Sequence, residues 1–335
     1  SKDMEGHPAV VMPTLVWPLN DPRMKATRQN TLSRAGGADA PFGAWRRLLR
    51  RFALNEDLNF LLTNRVPRIA LTRFMGWFSR IRQPLVRDAS MAVWKAFTDL
   101  DLSDAKKTQF DSLHDCFTRE LREGARPIDT DPTTLASPCD AIVGACGRID
   151  DGGQVFQAKG FAYALHELIG DSPRAREATA ALRGGSYVTL RLTSAMYHRF
   201  HAPDALTLEH VTHFSGDTWN VNPIALARVE KLFCRNERAA LYTRLHDGTP
   251  LLLVPVAAIL VASLRLRALR LPLNTRYRGP DELPCSARYA RGEEMGHFEH
   301  GSTILVFAPP GVSIVPGVDA GQPIRVGQPL LRRDA

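Results

Sequence analysis

The hydrophobic positions between residues 42 and 124 recur mainly at intervals of three and four, which is the spacing of one face of an α-helix. One such face consists of Trp45, Leu48, Leu49 and Phe52. A second face consists of Leu71, Phe74, Met75, Phe78 and Ile81, with Trp77 beside it. The pattern therefore predicts amphipathic helices in this part of the chain.

Beyond residue 130 the pattern changes to short apolar runs separated by glycine, proline and aspartate. The clearest runs are residues 141–143, 187–190, 251–254 and 304–307. Short runs bounded by turn residues predict the strands of a largely antiparallel β domain, which we expect to contain one helix near residues 162–169. The predicted fold class is α+β, with N-terminal amphipathic helices followed by a β-rich domain.

The same patterns divide the chain into three predicted parts. Residues 1–40 contain proline, glycine, asparagine and serine without periodicity, and we expect a flexible leader. This leader lacks the apolar segment of a secretory signal, and a mitochondrial transit peptide stays an open alternative. Residues 41–124 form the helical region and residues 125–335 the β-rich domain. The longest apolar stretch, residues 251–264, is shorter than the roughly 20 residues of a transmembrane helix and is predicted to be buried strand.

The net charge of +8 is concentrated in the helical region. Between residues 43 and 87, ten arginines accompany only two acidic residues, Glu56 and Asp57. The arginines lie outside the apolar faces, whereas large aromatic residues lie on these faces. This arrangement favours a helix lying among the headgroups of an anionic membrane over one that binds nucleic acid. The alternative is a helix packed on its own domain with its arginines in solvent.

The cysteine and histidine spacings indicate no metal site. The five cysteines form no Cys-x-x-Cys pair, which favours a reducing compartment. Cys139 and Cys146 are predicted to be small buried residues of strands. The histidines at 210, 213, 297 and 300 show no metal-binding spacing, and the sequence has no Gly-x-Gly-x-x-Gly or Walker A fingerprint for a nucleotide.

The candidate reactive residue is Ser302, which follows Gly301 at the start of an apolar run. A Gly-Ser pair before a strand is by itself typical of a turn. Two other segments supply the partners of a nucleophilic serine: Ser-Pro-Cys-Asp, which ends at Asp140, and Tyr-His-Arg-Phe-His-Ala-Pro, which contains His198 and His201. An alcohol needs a general base within hydrogen-bond reach and a third group that orients this base.

Together these segments resemble the phosphatidylserine decarboxylases, and the resemblance extends in the family's order over roughly residues 60–331. It includes Phe-Thr-Arg-Glu-Leu at 117–121, Arg-Pro-Ile-Asp at 126–129, Gln-Ala-Lys-Gly at 157–160 with Tyr163 beyond, Leu-Phe-Cys-Arg-Asn-Glu-Arg at 232–238, and Gly-Gln-Pro-Leu at 327–330. Several motifs in order are a far more specific signal than one short motif.

The resemblance implies that the chain cuts itself between Gly301 and Ser302. The Ser302 hydroxyl attacks the carbonyl carbon of Gly301, with His201 as the base and Asp140 as the group that orients it. The resulting ester undergoes β-elimination, and the dehydroalanine left at position 302 rearranges and loses ammonia. The implied products, which stay associated, are a large β chain (residues 1–301) and a small α chain (residues 302–335).

The implied cofactor is pyruvate, held covalently as a pyruvoyl group made from Ser302. Its ketone forms a Schiff base with the amine of phosphatidylserine and accepts the electrons released with carbon dioxide, as pyridoxal phosphate does in other decarboxylases. The product is phosphatidylethanolamine. His198 is the candidate for positioning the substrate or for protonating its α-carbon, since histidine ionises near neutral pH.

The resemblance also implies partners and a location. The partners are an anionic phospholipid membrane with its phosphatidylserine and a second copy of the chain in a homodimer, whereas nucleic acid is not expected. Residues 41–124 would associate with the membrane and residues 125–335 would be catalytic. The expected location is peripheral, on the cytoplasmic face of a bacterial inner membrane, with the mitochondrial inner membrane as the alternative.

Two other functions stay open at this point. One is a pyruvoyl-dependent decarboxylase of a soluble amino acid such as tryptophan, and the other is a non-catalytic protein that binds anionic membranes. The basic amphipathic N-terminal region favours a lipid substrate. Retention of Asp140, His201 and Ser302 together argues against the non-catalytic protein.

Three departures from the family pattern concern the fit of the substrate more than self-cleavage. Ala141 stands where the family usually has glycine, and at positive φ an alanine would cost roughly 1 kcal/mol. Asp204 and Ala205 replace the glycine that commonly follows the His-x-Pro segment. Residues 256–263 lack glycines that the family often carries.

Overall fold

A computed structural model describes residues 60, 67–158, 161–260, 263–299 and 302–334. The predicted leader (1–40), the first predicted helical face (45–52) and Gly301 of the predicted cleavage site lie outside the described residues. His300 lies outside them as well.

The helices are concentrated before residue 118 and on one face of the main sheet. They are α1 (Arg68–Phe78), α2 (Pro84–Phe97), α3 (Leu113–Phe117), α4 (Leu165–Ile169), α5 (Pro173–Leu182), α6 (Pro223–Leu226) and α7 (Leu232–Arg235). Proline is the first residue of α2, and the side chain of Gln83 caps that helix by accepting a hydrogen bond from the Val86 amide at 2.7 Å. No helix within the described residues is long and apolar enough to cross a membrane.

The strands before Ala257 are β1 (Thr134–Ala136), β2 (Ala141–Arg148), β3 (Gln154–Ala158), β4 (Phe161–Ala164), β5 (Ser186–Leu192), β6 (Arg199–His201), β7 (Leu206–Phe214), β8 (Arg238–Leu245) and β9 (Pro250–Ala257). The later strands are β10 (Ser263–Leu266), β11 (Leu273–Asn274), β12 (Glu282–Tyr289), β13 (Glu294–Phe298), β14 (Ser302–Ala308), β15 (Val312–Ile314), β16 (Pro323–Ile324) and β17 (Pro329–Arg333).

The strands form four sheets in which every named pair is antiparallel. The largest has the order β12-β7-β8-β9-β14-β5-β2-β16, and the second has the order β11-β10-β13-β6. The two small sheets are β1-β17-β15 and β3-β4. Strand β14 is central, because it pairs with β9 on one side and with β5 on the other.

Both faces of β14 are buried, as its continuous apolar sequence predicts. Ile304 and Val306 pack into a core that includes Phe200 and Phe298 of the second sheet. The alternate residues of β14 point to the opposite face, where they pack in a separate core with residues of α4, α5 and α7. The main sheet therefore lies between the four-stranded sheet and a layer of helices.

The predicted α+β fold class is confirmed, whereas several details differ from prediction. The helix expected at residues 162–169 begins only at Leu165, because the residues before it form β4. Helix α5 was not predicted at all. The apolar stretch 251–264 is not one strand: β9 ends at Ala257 and β10 begins at Ser263.

The backbone φ angles show at which of the positions that lack a family glycine the chain adopts a conformation favoured by glycine. Ala141 begins a strand and is not among the described non-glycine residues with positive φ, so the strain considered for it is absent. Leu260, in contrast, has a φ of 89°. This conformation favours glycine, and Leu260 lies within residues 256–263, the segment that lacks the glycines of the family.

Candidate active site

Ser302 is the first residue of the central strand β14, where its backbone lies between Leu192 of β5 and Ala257 of β9. The residue is fully buried, and its hydroxyl has no hydrogen-bond partner among the described residues. A buried hydroxyl without a partner carries a desolvation cost that packing alone does not explain. Its position at the start of β14 is the one that the Gly-Ser motif predicts.

His198 lies in the segment that follows β5, and its carbonyl accepts a hydrogen bond from the Phe298 amide at 3.0 Å. Its ring is buried against Phe117, with ring centroids 4.0 Å apart. The Nδ1 atom lies 2.8 Å from the carbonyl oxygen of Met196. Because a carbonyl only accepts, Nδ1 carries the proton, and the buried Nε2 has no described partner. Burial lowers the pKa of His198 to about 3, so the ring is neutral with a free basic nitrogen.

His201 ends β6 and has both ring nitrogens engaged. Its Nδ1 donates to the carbonyl oxygen of Gly292 at 2.9 Å, and its Nε2 accepts from the hydroxyl of Tyr197 at 3.1 Å. Burial lowers the pKa of His201 below its usual value, although the hydrogen bond to Gly292 and the charges of Glu294 and Asp140 oppose this shift. The ring is thus held in the tautomer that a base acting through Nε2 requires, and the Gly292 carbonyl holds it there.

Asp140 is held by Arg126 and not by a histidine. The Nε and Nη2 atoms of Arg126 lie 2.9 Å and 2.6 Å from the two carboxylate oxygens, and the Val326 amide donates to Oδ1 at 2.9 Å. Arg126 also bonds Asp104 at 2.8 Å. A bidentate arginine pair is strong and directional, so it fixes the carboxylate in place.

The backbone brings the Asp140 segment and His201 together. The His201 amide donates to the carbonyl of Pro138 at 2.8 Å, two residues before Asp140. Asp140 and Tyr197 both line a cavity of about 560 Å³. The structure therefore brings Asp140, Tyr197 and His201 close together. The backbone of His198 lies beside the strand segment that leads to Ser302. The structure shows no hydrogen bond between Asp140 and His201, and none from either histidine to Ser302.

Arg126 and Tyr197 were not predicted to take part in the site. A motif marks each of them, because Arg126 is the first residue of the Arg-Pro-Ile-Asp motif and Tyr197 is the first residue of the Tyr-His motif. The contribution of the Gly292 carbonyl cannot be predicted in this way, because a backbone acceptor leaves no signature in the side-chain sequence.

Two other motif residues form buried hydrogen bonds that connect neighbouring segments of the fold. The buried amide of Gln157 donates to the carbonyls of Leu226 and Val229 and accepts from the Leu232 amide. Asn236 links Trp219 to β9 in a similar way. These bonds satisfy buried backbone groups, and each is expensive to remove for that reason.

Two other described histidines are bonded to carboxylates. His210 lies 2.5 Å from Glu282, and His213 lies 2.8 Å from Glu237. Burial lowers the pKa of His297 to about 4. No cluster of three or more histidine, cysteine or acidic side chains able to hold a metal is present in the described part of the chain.

Cys139 is buried, as predicted, but it lies in the bend before β2 and not in a strand. Cys146 lies in β2, as predicted, but is only partly buried. Burial raises the pKa of the Cys139 thiol.

Comparison with known proteins identifies the family of this chain. The family profile described as phosphatidylserine decarboxylase matches residues 113–332. The phosphatidylserine decarboxylase proenzyme of Methylococcus capsulatus is 34% identical over 286 residues, which cover 83% of this chain and 96% of that protein. The proenzymes of Bordetella petrii and Aliivibrio salmonicida are 33% and 32% identical, and in each case the match covers 83% of this chain and 98% of the relative. The chain therefore belongs to the phosphatidylserine decarboxylase family.

Proposed function

We propose that this chain is a proenzyme that cuts itself before Ser302 and then converts phosphatidylserine to phosphatidylethanolamine and carbon dioxide. The observation that carries the proposal is the buried hydroxyl of Ser302, which has no described partner and lies at the start of a central strand. Membership of a family whose relatives are named as proenzymes supports it.

Residue 302 is the position at which a pyruvoyl group would be held. A serine hydroxyl with no bonded partner fits that origin, because no existing hydrogen bond has to break before it reacts. When present, a pyruvoyl ketone takes up a primary amine and withdraws the electrons released by decarboxylation. The surrounding protein has to exclude water and supply and remove protons at defined atoms.

For self-cleavage we assign the nucleophile to Ser302, the base to His201 and a supporting role to Asp140. His201 already has the tautomer with a basic Nε2. Proton transfer from Ser302 requires Nε2 to leave the hydroxyl of Tyr197 and to come within hydrogen-bond reach of the Ser302 hydroxyl. The negative charge of Asp140 favours the protonated imidazole that forms, so Asp140 acts through its charge while Arg126 holds it in place.

For decarboxylation we assign substrate positioning or proton delivery to His198. Its backbone is bonded to Phe298, four residues before Ser302, and its buried Nε2 has no described partner. Burial keeps the ring neutral, so Nε2 can accept a hydrogen bond from the substrate. Proton delivery requires that a charged substrate group raises the pKa of the ring when it binds. Phe117 covers the ring and excludes water from it.

The activity is tested by supplying the purified full chain with phosphatidylserine in detergent micelles and measuring carbon dioxide and phosphatidylethanolamine. We expect both products in equal amounts, and we expect no carbon dioxide from free tryptophan. Release of carbon dioxide from tryptophan but not from phosphatidylserine would show that the substrate is a soluble amino acid and not the lipid.

We further propose that the enzyme is peripheral on an anionic membrane, at the cytoplasmic face of a bacterial inner membrane, and works as a homodimer. Helix α1 supports the membrane contact, because its Phe74 and Trp77 side chains are 52% and 63% exposed. Their rings contact each other, with centroids 5.7 Å apart. Exposed aromatic residues among arginines suit the headgroup layer.

Liposome sedimentation should separate the charged and apolar parts of this binding. Each arginine near an anionic surface contributes at most about 1 kcal/mol, and salt screens that contribution. We expect the double variant Phe74→Ala/Trp77→Ala to lose the part of the binding that survives high salt. The matched control is Phe156→Ala, which removes an exposed aromatic residue from β3. Equal binding of the unmodified chain to neutral and anionic vesicles at low salt would contradict the electrostatic part.

A further inference from the structure

A cavity of about 340 Å³ lies between α1 and the β10-β11 hairpin, and none of the residues assigned to self-cleavage lines it. Four arginines line it, and Glu299 is its acidic residue. The arginines are Arg73, Arg80, Arg265 and Arg276. Its volume is within the range of small-molecule sites, and its positive charge selects for an anion.

Two of the four arginines already have a partner. Arg80 and Arg265 bond the two carboxylate oxygens of Glu299 at 2.9 Å and 3.1 Å. Burial raises the pKa of Glu299, but the two arginines outweigh it and hold that pKa below its usual value. Glu299 therefore stays charged and fixes one wall of the cavity.

The other two arginines are available. Arg73 projects from α1 and Arg276 from the segment after β11, and neither forms an ion pair with a described residue. Both residues are exposed. Arginine recognises phosphate oxygens through paired N–H donors, so two arginines facing one cavity form a receptor for a phosphodiester.

The location connects this cavity with both the membrane and the reacting residue. Trp77 lines it and is exposed beside Phe74, which places its rim at the surface we assign to the headgroup layer. Glu299 is three residues before Ser302, so their backbones are at most about 11 Å apart. In phosphatidylserine one oxygen and two carbons separate the phosphorus from the reacting amine, so the phosphodiester has to bind close to residue 302. Among the residues that line the cavity, Glu299 is the nearest to Ser302 in sequence.

We propose that this cavity is the subsite for the phosphodiester of a membrane glycerophospholipid, with Arg73 and Arg276 as the residues that bind it. This inference rests on the proposed function and adds the group by which the substrate is held. The acyl chains stay among the exposed aromatic residues, and the serine headgroup extends along the Glu299 wall toward residue 302.

The test uses the full chain and dihexanoylphosphatidylethanolamine, a soluble product analogue that is not consumed. Titration calorimetry measures its affinity for the unmodified chain and for Arg73→Gln/Arg276→Gln. We expect the dissociation constant to rise about tenfold or more in this variant, since each charge-assisted hydrogen bond is stronger than a neutral one. With phosphatidylserine we expect the KM to rise and kcat to change less than about twofold, because the arginines bind a part of the substrate that does not react.

The matched control is Arg270→Gln/Arg278→Gln, which removes the same charge from exposed positions that do not line the cavity. A second variant, Arg73→Lys/Arg276→Lys, keeps the charge and should bind with intermediate affinity, because lysine contacts phosphate only as a point charge. Equal affinities of the glutamine variant and the control would overturn the subsite. So would tight binding of inorganic phosphate without any binding of the phospholipid, because the site would then hold an adventitious anion only. Absence of turnover by the unmodified chain would refute the decarboxylase proposal, while the calorimetry would still decide the subsite.

Discussion

Replacing Ser302 by alanine should leave the chain uncleaved and without detectable decarboxylase activity. The Ser302 hydroxyl attacks the preceding carbonyl, and its oxygen then departs in the carboxylate of residue 301 by β-elimination, so alanine removes both steps. A denaturing gel and carbon dioxide release measure the two effects on the same preparation.

The control is Ser79→Ala. Ser79 is also fully buried and its hydroxyl also has no described partner, yet it lies directly after α1 and not at a strand that begins the predicted small chain. We expect this variant to be cleaved and active. Two fragments from the Ser302→Ala chain would remove Ser302 from the reaction, whatever the behaviour of the control.

The second large effect separates the two histidines of the Tyr-His segment. His201→Ala should slow cleavage by a factor of about 100 to 10,000, which is the usual contribution of a general base. Asp140→Asn should slow it too, because one of the two carboxylate charges that stabilise the protonated His201 is lost. His198→Ala should still yield both fragments but should decarboxylate about 100-fold more slowly or worse.

Fragment yield and carbon dioxide release, measured for each purified variant, distinguish these roles. His166→Ala is the control, because His166 is exposed on α4. An uncleaved His198→Ala chain would show that His198 serves cleavage, and its buried Nε2 without a described partner would then be the candidate base. Full turnover by that variant would leave His198 with a structural role only, through its contact with Phe117.

Much of the architecture follows from sequence patterns that are local. The run at 304–307 predicts a strand buried on both faces, and β14 is that strand. Helix α5 could not be found in this way. Its sequence consists mainly of alanine and charged residues, so it has the propensity of a helix without a broad apolar stripe.

The arrangement within the site depends on contacts between distant segments, and sequence patterns do not determine those. Asp140 and His201 were predicted to be partners because their residue types suit a triad. In the fold, Arg126 takes the carboxylate and the backbone of Gly292 takes the histidine. Arg126 and the Gly292 carbonyl therefore bind the groups that Asp140 and His201 would use to contact each other in a triad. The sequence does not show which of these competing contacts forms in the fold.

The central claim is that residue 302 becomes the blocked first residue of a small chain. Intact mass spectrometry of the full chain, purified and separated under denaturing conditions, tests it directly. The account predicts one fragment that ends at Gly301 and a second fragment, residues 302–335, that is lighter by one ammonia than the same peptide with an N-terminal serine. A single uncut chain, or a small fragment that begins with an intact serine, would contradict it.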